Sequence, residues 1–143
     1  MTPAQIQRVR NSFATAVQQL DALSAAFCRY LLQLEPGGGA PFGGDPVVQR
    51  IKVGAALAGL VGSLGQLDRI RPQLRALGRE RARQGIDAED YARLGEALIG
   101  ALQDVLGEAF DAETRRAWAA AYGQIARAML AGAAQDRIAA QAA

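Results

Sequence analysis

The sequence predicts an all-α protein, and three observations carry that reading. Apolar residues recur every three or four positions through each long segment, the spacing of one helix face. No segment of any length alternates apolar and polar residues as a half-buried strand would, and no internal repeat is visible. Helix starts are written as a capping side chain followed by proline, at Thr2-Pro3 and Asp45-Pro46, and helix ends as glycine or proline. The 143 residues fit one domain, residues 1–143, long enough to bury a core.

After Thr2-Pro3, the residues Ile6, Val9, Phe13 and Val17 stand at helical spacing, and Leu20, Leu23, Phe27, Tyr30, Leu31 and Leu34 carry a second helical pattern. Glu35-Pro36-Gly37-Gly38-Gly39 ends it, because proline and glycine continue a helix only at a cost. The loop from 36 to 46 holds one large apolar residue, Phe42, a placement that suits covering something. Asp45-Pro46 opens a helix to about residue 63 with Val47, Ile51, Val53, Leu57, Leu60 and Val61. Gly54, Gly59 and Gly62 inside it each cost about 1 kcal/mol of helix propensity relative to alanine, so they are read as admitting another helix closely.

Leu64 to Arg83 reads as a further helical segment, interrupted at Pro72. Gly85-Ile86-Asp87 closes it and caps the next helix, with Asp87 and Asp90 near its positive end. Tyr91, Leu94, Leu98, Leu102, Val105 and Leu106 form a strong apolar stripe to about residue 108. Asp111 and Glu113 start a last helix with Trp118, Tyr122, Ile125, Met129 and Leu130, and the alanine-rich tail from 133 is expected to fray.

Composition excludes several function classes. There is no histidine, so neither a histidine-based triad nor a histidine-ligated zinc site can form. The single cysteine, Cys28, permits no internal disulfide and no cysteine-cluster metal site, and fits a reducing compartment. Gly37-Gly38-Gly39 lacks the Lys-Ser/Thr of a phosphate-binding loop. The acidic residues are scattered caps and surface charges rather than a pair, so a non-enzymatic role is expected. No basic stretch followed by an apolar run opens the chain, and no apolar run approaches the roughly 20 residues of a membrane span. The expectation is a cytoplasmic protein without membrane contact.

Five stretches resemble the globin family, in particular the single-domain bacterial haemoglobins and the globin domain of flavohaemoglobins. They are TPAQIQRVRNSF, LEPGGGAPF, QRIKV, LRALGRERARQGI and AWAAAYGQIARAM. The resemblance implies a globin-like fold of seven or eight helices around a central apolar pocket. It implies haem as cofactor, and oxygen or nitric oxide as a diatomic ligand. Carried over residue by residue, Phe42 matches the loop phenylalanine that packs on haem. Gln49 matches the distal polar residue, and Val53 the apolar residue one turn later. Tyr91 matches a pocket tyrosine, and Trp118 and Tyr122 match packing positions. Leu77, Ile86 and Leu98 complete the expected pocket. Three positions depart from the pattern. Arg81 stands where the family has its proximal histidine, and Cys28 where bacterial members usually carry a ligand-stabilising tyrosine. Ala133 falls near a glutamate that orients the proximal histidine in the flavohaemoglobin branch.

The residues themselves also mark Arg81. Taking Ile70 as zero and about 100° per residue, Leu74 falls at about 40°, Leu77 at about −20° and Arg81 at about 20°. Arg81 therefore belongs to the apolar stripe if the helix continues. Three readings stay open: it snorkels to water as the helix ends; it pairs with a carboxylate of the protein or of a ligand; or it sits beside haem without ligating iron. Arginine is a poor ligand because it stays protonated. Other iron donors are Cys28 and Tyr91, while Met129 reads most simply as core. Cys28 reads first as a small buried hydrophobe, and tyrosinate ligation needs help to lower its pKa.

Arg71, Arg75, Arg79 and Arg83 step by four along a different face. The simple reading is a solvated face diluted by Glu80, since there is no aromatic interleaving and no basic groove helix, which argues against nucleic acid. The sequence thus points to a globin-like binding protein whose haem site is unusual or lost. The alternative is a haem-free globin-fold sensory or interaction module, with an apolar or anionic ligand, a protein partner or a second copy as its counterpart.

Overall fold

The computed structural model describes residues 1–35 and 41–142, with only the backbone of Pro41 and Phe42 described. Six α-helices follow one another: α1 Pro3–Ala16, α2 Leu20–Leu34, α3 Pro46–Ser63, α4 Leu67–Arg83, α5 Ala88–Leu106 and α6 Ala112–Ala142. Short 3-10 turns at Val17–Gln19, Pro41–Gly44, Leu64–Gln66 and Gly107–Ala109 link them, and no strand occurs among the described residues. Where seven or eight helices were expected, the described residues form six long ones, and short 3-10 turns take the place of the others.

The predicted caps are made. Thr2 Oγ1 accepts the Gln5 amide N–H at 3.1 Å and Gln5 Oε1 accepts that of Thr2 at 3.0 Å, a reciprocal capping box. Asp45 accepts the Val47 N–H at 2.9 Å ahead of Pro46. Asp87 and Asp90 cap each other's amides at 2.9 and 3.0 Å, which fixes the start of α5. Between α4 and α5 the chain turns through Gly85 at φ +92°, a value that suits glycine.

The main core gathers Val9, Leu23, Val53, Leu57, Leu98, Leu102 and Trp118 from α1, α2, α3, α5 and α6. Fully burying Leu23 or Leu102 is worth about 1.5–3 kcal/mol. Trp118 is wholly buried and its indole N–H donates to Ser12 Oγ at 2.8 Å, so the polar handle of the largest core side chain is satisfied. A second cluster holds Tyr91, Ala126 and Met129, with Leu74, Ile86 and Ile125 packed against it. Across the outer rim, Asp104 accepts from Arg29 at 2.5 Å and from Tyr30 Oη at 2.9 Å, tying α2 to α5.

Helix α4 lies on α6 at backbone distance. A Cβ added to Gly78 would stand 1.9 Å from the Met129 carbonyl oxygen, and one added to Gly132 would stand 2.0 Å from that of Arg75. Neither position can carry any side chain without moving a helix. These are the close-approach glycines. Of the three expected in α3, only Gly54 faces another helix, with Leu20 Cδ2 at 3.0 Å; Gly59 and Gly62 face open space.

Three further expectations are corrected. Pro72 does not interrupt α4, because it sits near the start, is exposed and removes one hydrogen bond, to the Asp68 carbonyl. The tail does not fray at 133: Ala133 is buried, and the strong helix propensity of alanine carries α6 to Ala142. The run Pro46–Arg83 also contains a window long and apolar enough to cross a membrane by composition, with mean hydropathy 1.3 and 22% of it buried. Alanine, glycine and branched residues of α3 supply that apolarity, and the fold turns Val53, Leu57 and Val61 of it into the core.

Gly78→Ala and Gly132→Ala are expected to destabilise by more than about 3 kcal/mol each, beyond ordinary overpacking. Gly59→Ala should be neutral or stabilising by up to about 1 kcal/mol. Thermal unfolding followed by far-ultraviolet circular dichroism separates the three; equal effects would rule out backbone contact as the cause.

Candidate functional site

The expected site residues divide between the two clusters and the surface. Val53 on α3 and Leu98 on α5 are both buried in the main core. Tyr91 and Ile86 belong to the second cluster, where Leu74 and Met129 meet them. Leu77 is 41% exposed and Arg81 is exposed. Gln49 is half-buried in the first turn of α3, its amide N–H bonded to the Asp45 carbonyl at 2.9 Å. Cys28 on α2 is buried. The side chain of Phe42 lies outside the described residues.

The glycine contact explains the placement of Leu77 and Arg81. With Gly78 pointing at α6, Leu77 lies about 100° and Arg81 about 60° round the helix. The stripe Ile70–Leu74–Leu77–Arg81 therefore flanks the contact rather than making it. Leu74, nearest the contact line, reaches the second cluster, whereas Leu77 does not. The Arg81 guanidinium donates to Gln84 Oε1 at 3.0 Å, and the Arg81 carbonyl accepts the Ile86 N–H at 3.0 Å. Among the three readings of Arg81, its exposure and neutral partner match the side chain that turns to water where the helix ends.

The basic face is not uniform. Arg71 pairs with Asp68 at 2.9 Å, and Arg83 with Asp136 at 3.6 Å and Glu80 at 3.7 Å. Arg75, by contrast, is half-buried in the α4–α6 seam, and its Nε is buried without a hydrogen-bond partner. The four-residue step did not reveal that, because the face it defines is split by the line of contact with α6.

Tyr91 is the most constrained of the expected site residues. It is 8% exposed, and its hydroxyl is buried with no hydrogen-bond partner. Tyr122 Oη donates to the Tyr91 carbonyl at 2.6 Å, and Gly95 makes room for the Tyr122 ring. Burial pushes the Tyr91 phenol above its ordinary value, and the charge of Arg81 pulls it back only in part. Burial, and secondarily Tyr91, push Tyr122 well up. Burial likewise raises the Cys28 thiol. Both phenols and the thiol are therefore held protonated at neutral pH. The start of α5 is anchored by Arg93, which meets Asp90 at 2.5 Å and Glu35 at 3.7 Å. The Asp87 amide, and then the Arg93 guanidinium, hold the Asp90 carboxyl below the ordinary 3.8.

Comparison with known proteins gives this arrangement its family. The globin family model matches residues 45–129, so the chain belongs to the globin family. It is 34% identical over 82 residues to a flavohemoprotein of Bacillus subtilis, covering 57% of this chain and 21% of that protein. It is 35% identical over 78 residues to a flavohemoprotein of Bordetella parapertussis, covering 54% and 19%. A neuroglobin of Dissostichus mawsoni is 33% identical over 85 residues, covering 59% and 54%. The chain thus spans about a fifth of these flavohemoproteins and about half of the neuroglobin. The family match contains Gln49, Val53, Leu77, Arg81, Ile86, Tyr91 and Leu98, while Cys28, Phe42 and Ala133 stand outside it.

The globin family implies haem, and the donor set here does not fit a haem held by histidine. The chain has no imidazole, and the position resembling the family's ligand carries an exposed guanidinium engaged with Gln84. The thiol and phenol that could replace it are held in the protonated form, which binds iron poorly.

Two outcomes follow. Tyr91→Phe, which deletes a buried unpartnered hydroxyl, should leave stability unchanged or raise it by about 1 kcal/mol in urea unfolding; a loss of that size would mean the hydroxyl has a partner. Because Asp90 is more acidic folded than unfolded, its contribution is complete above about pH 4 and fades as pH falls through the lower folded value. Asp90→Asn should flatten the fall in unfolding free energy on the acid side; an unchanged slope would place the acid sensitivity elsewhere.

Proposed function

We propose that this chain is a non-enzymatic globin-family binding protein that works without histidine-ligated haem, as a haem-free sensory or interaction module. The observation that carries the reading is Arg81: exposed, bonded to Gln84, and standing where the resemblance expects the iron ligand. An arginine offers no lone pair to a metal. The counterpart of such a module is an apolar or anionic molecule or another protein. Ile86 and Tyr91, which the second cluster brings together, are proposed as its point of contact.

One observation favours a second reading, in which haem and a diatomic gas are bound through an unusual donor. The Tyr91 hydroxyl is buried without a partner and waits for one, and Cys28 is the other available donor. Either would have to lose its proton against the effect of burial.

Titration of the purified protein with haemin, recorded in the ferric and ferrous states, separates the two. The expected result is a broad spectrum like that of free haemin, unchanged in Val53→Trp. A sharp Soret band saturating at one haem per chain, and lost in Tyr91→Phe or Cys28→Ala, would overturn the haem-free reading and name the ligand.

A further inference from the structure

Helices α4 and α6 run side by side in the same direction. Leu67 and Gln124 border one hollow at one end of the contact, and Arg83 meets Asp136 at the other. The line of contact through Gly78 and Gly132 divides each helix into two flanks. Counted from Gly78 at about 100° per residue, Leu74 falls on one flank at about −40°, and Arg75 and Arg79 on the other at about 60° and about 100°. Counted from Gly132, Tyr122 and Ala126 fall at about 80° and about 120°, with Gln124 and Arg127 opposite at about −80° and about −140°. Leu74, Tyr122 and Ala126 meet in the Tyr91 cluster. Arg75, Arg79, Gln124 and Arg127 therefore share the outer side of the seam.

That side is basic beyond what its own acids neutralise. Helix α4 and the part of α6 from Gln124 onward carry eight arginines and three carboxylates, a surplus larger than the +2 of the whole chain. All three carboxylates are engaged: Asp68 by Arg71 at 2.9 Å, and Asp136 and Glu80 by Arg83 at 3.6 and 3.7 Å. Arg75, Arg79 and Arg127 form no ion pair or hydrogen bond among the described residues. Arg127 lies back along its own helix, its Nη2 3.9 Å from where a Cβ on Gly123 would stand. Toward the start of α4 the same side opens into a hollow of about 540 Å³. Apolar Ile6, Leu64 and Leu67 line it together with Gln66, Arg69 and Gln124, and Asp68 at the same hollow is the carboxylate that Arg71 holds.

We propose that this outer seam is the docking surface for an acidic amphipathic helix of a partner protein. Guanidinium groups match carboxylates in geometry as well as charge. The step from Arg75 to Arg79 rises about 6 Å, the same as the step between glutamates four residues apart on a helix laid along it. The hollow receives an apolar side chain from the same helix, the pocketed anchor that specific interfaces use. The engaged Asp68 at one end and Glu80 and Asp136 at the other confine the free basic strip to about two helical turns. A strip that short suits a short acidic segment and gives few contacts to the long phosphate backbone of a duplex. The surface lies across the seam from Tyr91, so it stands apart from whatever that cluster binds.

The test is fluorescence anisotropy of a labelled helical peptide, with glutamate at every fourth position and leucine in its first turn, titrated with the full chain. The expected result is saturation at one peptide per chain, and no binding of the same peptide with glutamine in place of glutamate. Arg79→Glu and Arg127→Glu should each weaken binding by about tenfold or more. Arg116→Glu changes the net charge equally at the far start of α6 and should bind as the wild type does. Far-ultraviolet circular dichroism establishes that each variant is folded. A glutamate peptide that fails to bind at millimolar concentration overturns the proposal. So does an equal loss in Arg116→Glu, which would mean attraction by net charge alone. Tighter binding of a short labelled DNA duplex than of the peptide overturns it too, and would make the surface a phosphate-binding one.

Discussion

The structure turns on one place where two backbones touch. At Gly78 and Gly132, α4 and α6 approach so closely that no side chain fits between them. Main-chain contact of this kind has no slack, since a single methyl group would force the helices apart. It fixes the rotation of α4 about its own axis. From that follow the turning of Leu77 and Arg81 away from the contact, the burial of Arg75 in the seam, and the reach of Leu74 to the Tyr91 cluster. At the position that the family resemblance marks for an iron ligand, the side chain turns to water and bonds Gln84.

Much of the fold was legible because it is written locally. Thr2-Pro3, Asp45-Pro46 and Asp87 are short-range instructions, and the helices start where those residues say. The apolar stripe of α5 predicted a core helix, and Leu98 and Leu102 are core residues. Pairings between distant segments were not legible. Gly59 and Gly78 look alike in a sequence, yet one faces open space and the other a carbonyl. Pro72 suggested a break, but so near the start of α4 and exposed it costs one hydrogen bond and the helix runs on.

The candidate site was legible by type and only partly by place. Tyr91 was singled out and is the residue with a buried, unpartnered hydroxyl. Arg81 was placed on an apolar stripe by periodicity, and it does share that stripe with Leu77; the stripe itself is not the face that α4 buries most deeply. Arg75 escaped notice because a regular step of arginines reads as one solvated face, and a line of contact running obliquely across it left no mark in the spacing. Ion pairs such as Arg93 with Glu35 join segments far apart in the chain and had no local signal at all.

The missing imidazole reaches beyond any metal site. Histidine is the one side chain whose ordinary titration falls between about pH 5 and about pH 8. The chain has none, and its lone thiol is pushed upward, out of that interval. No imidazole therefore titrates in this chain between those limits. A histidine switch is accordingly not among the ways in which this chain can respond to acidity.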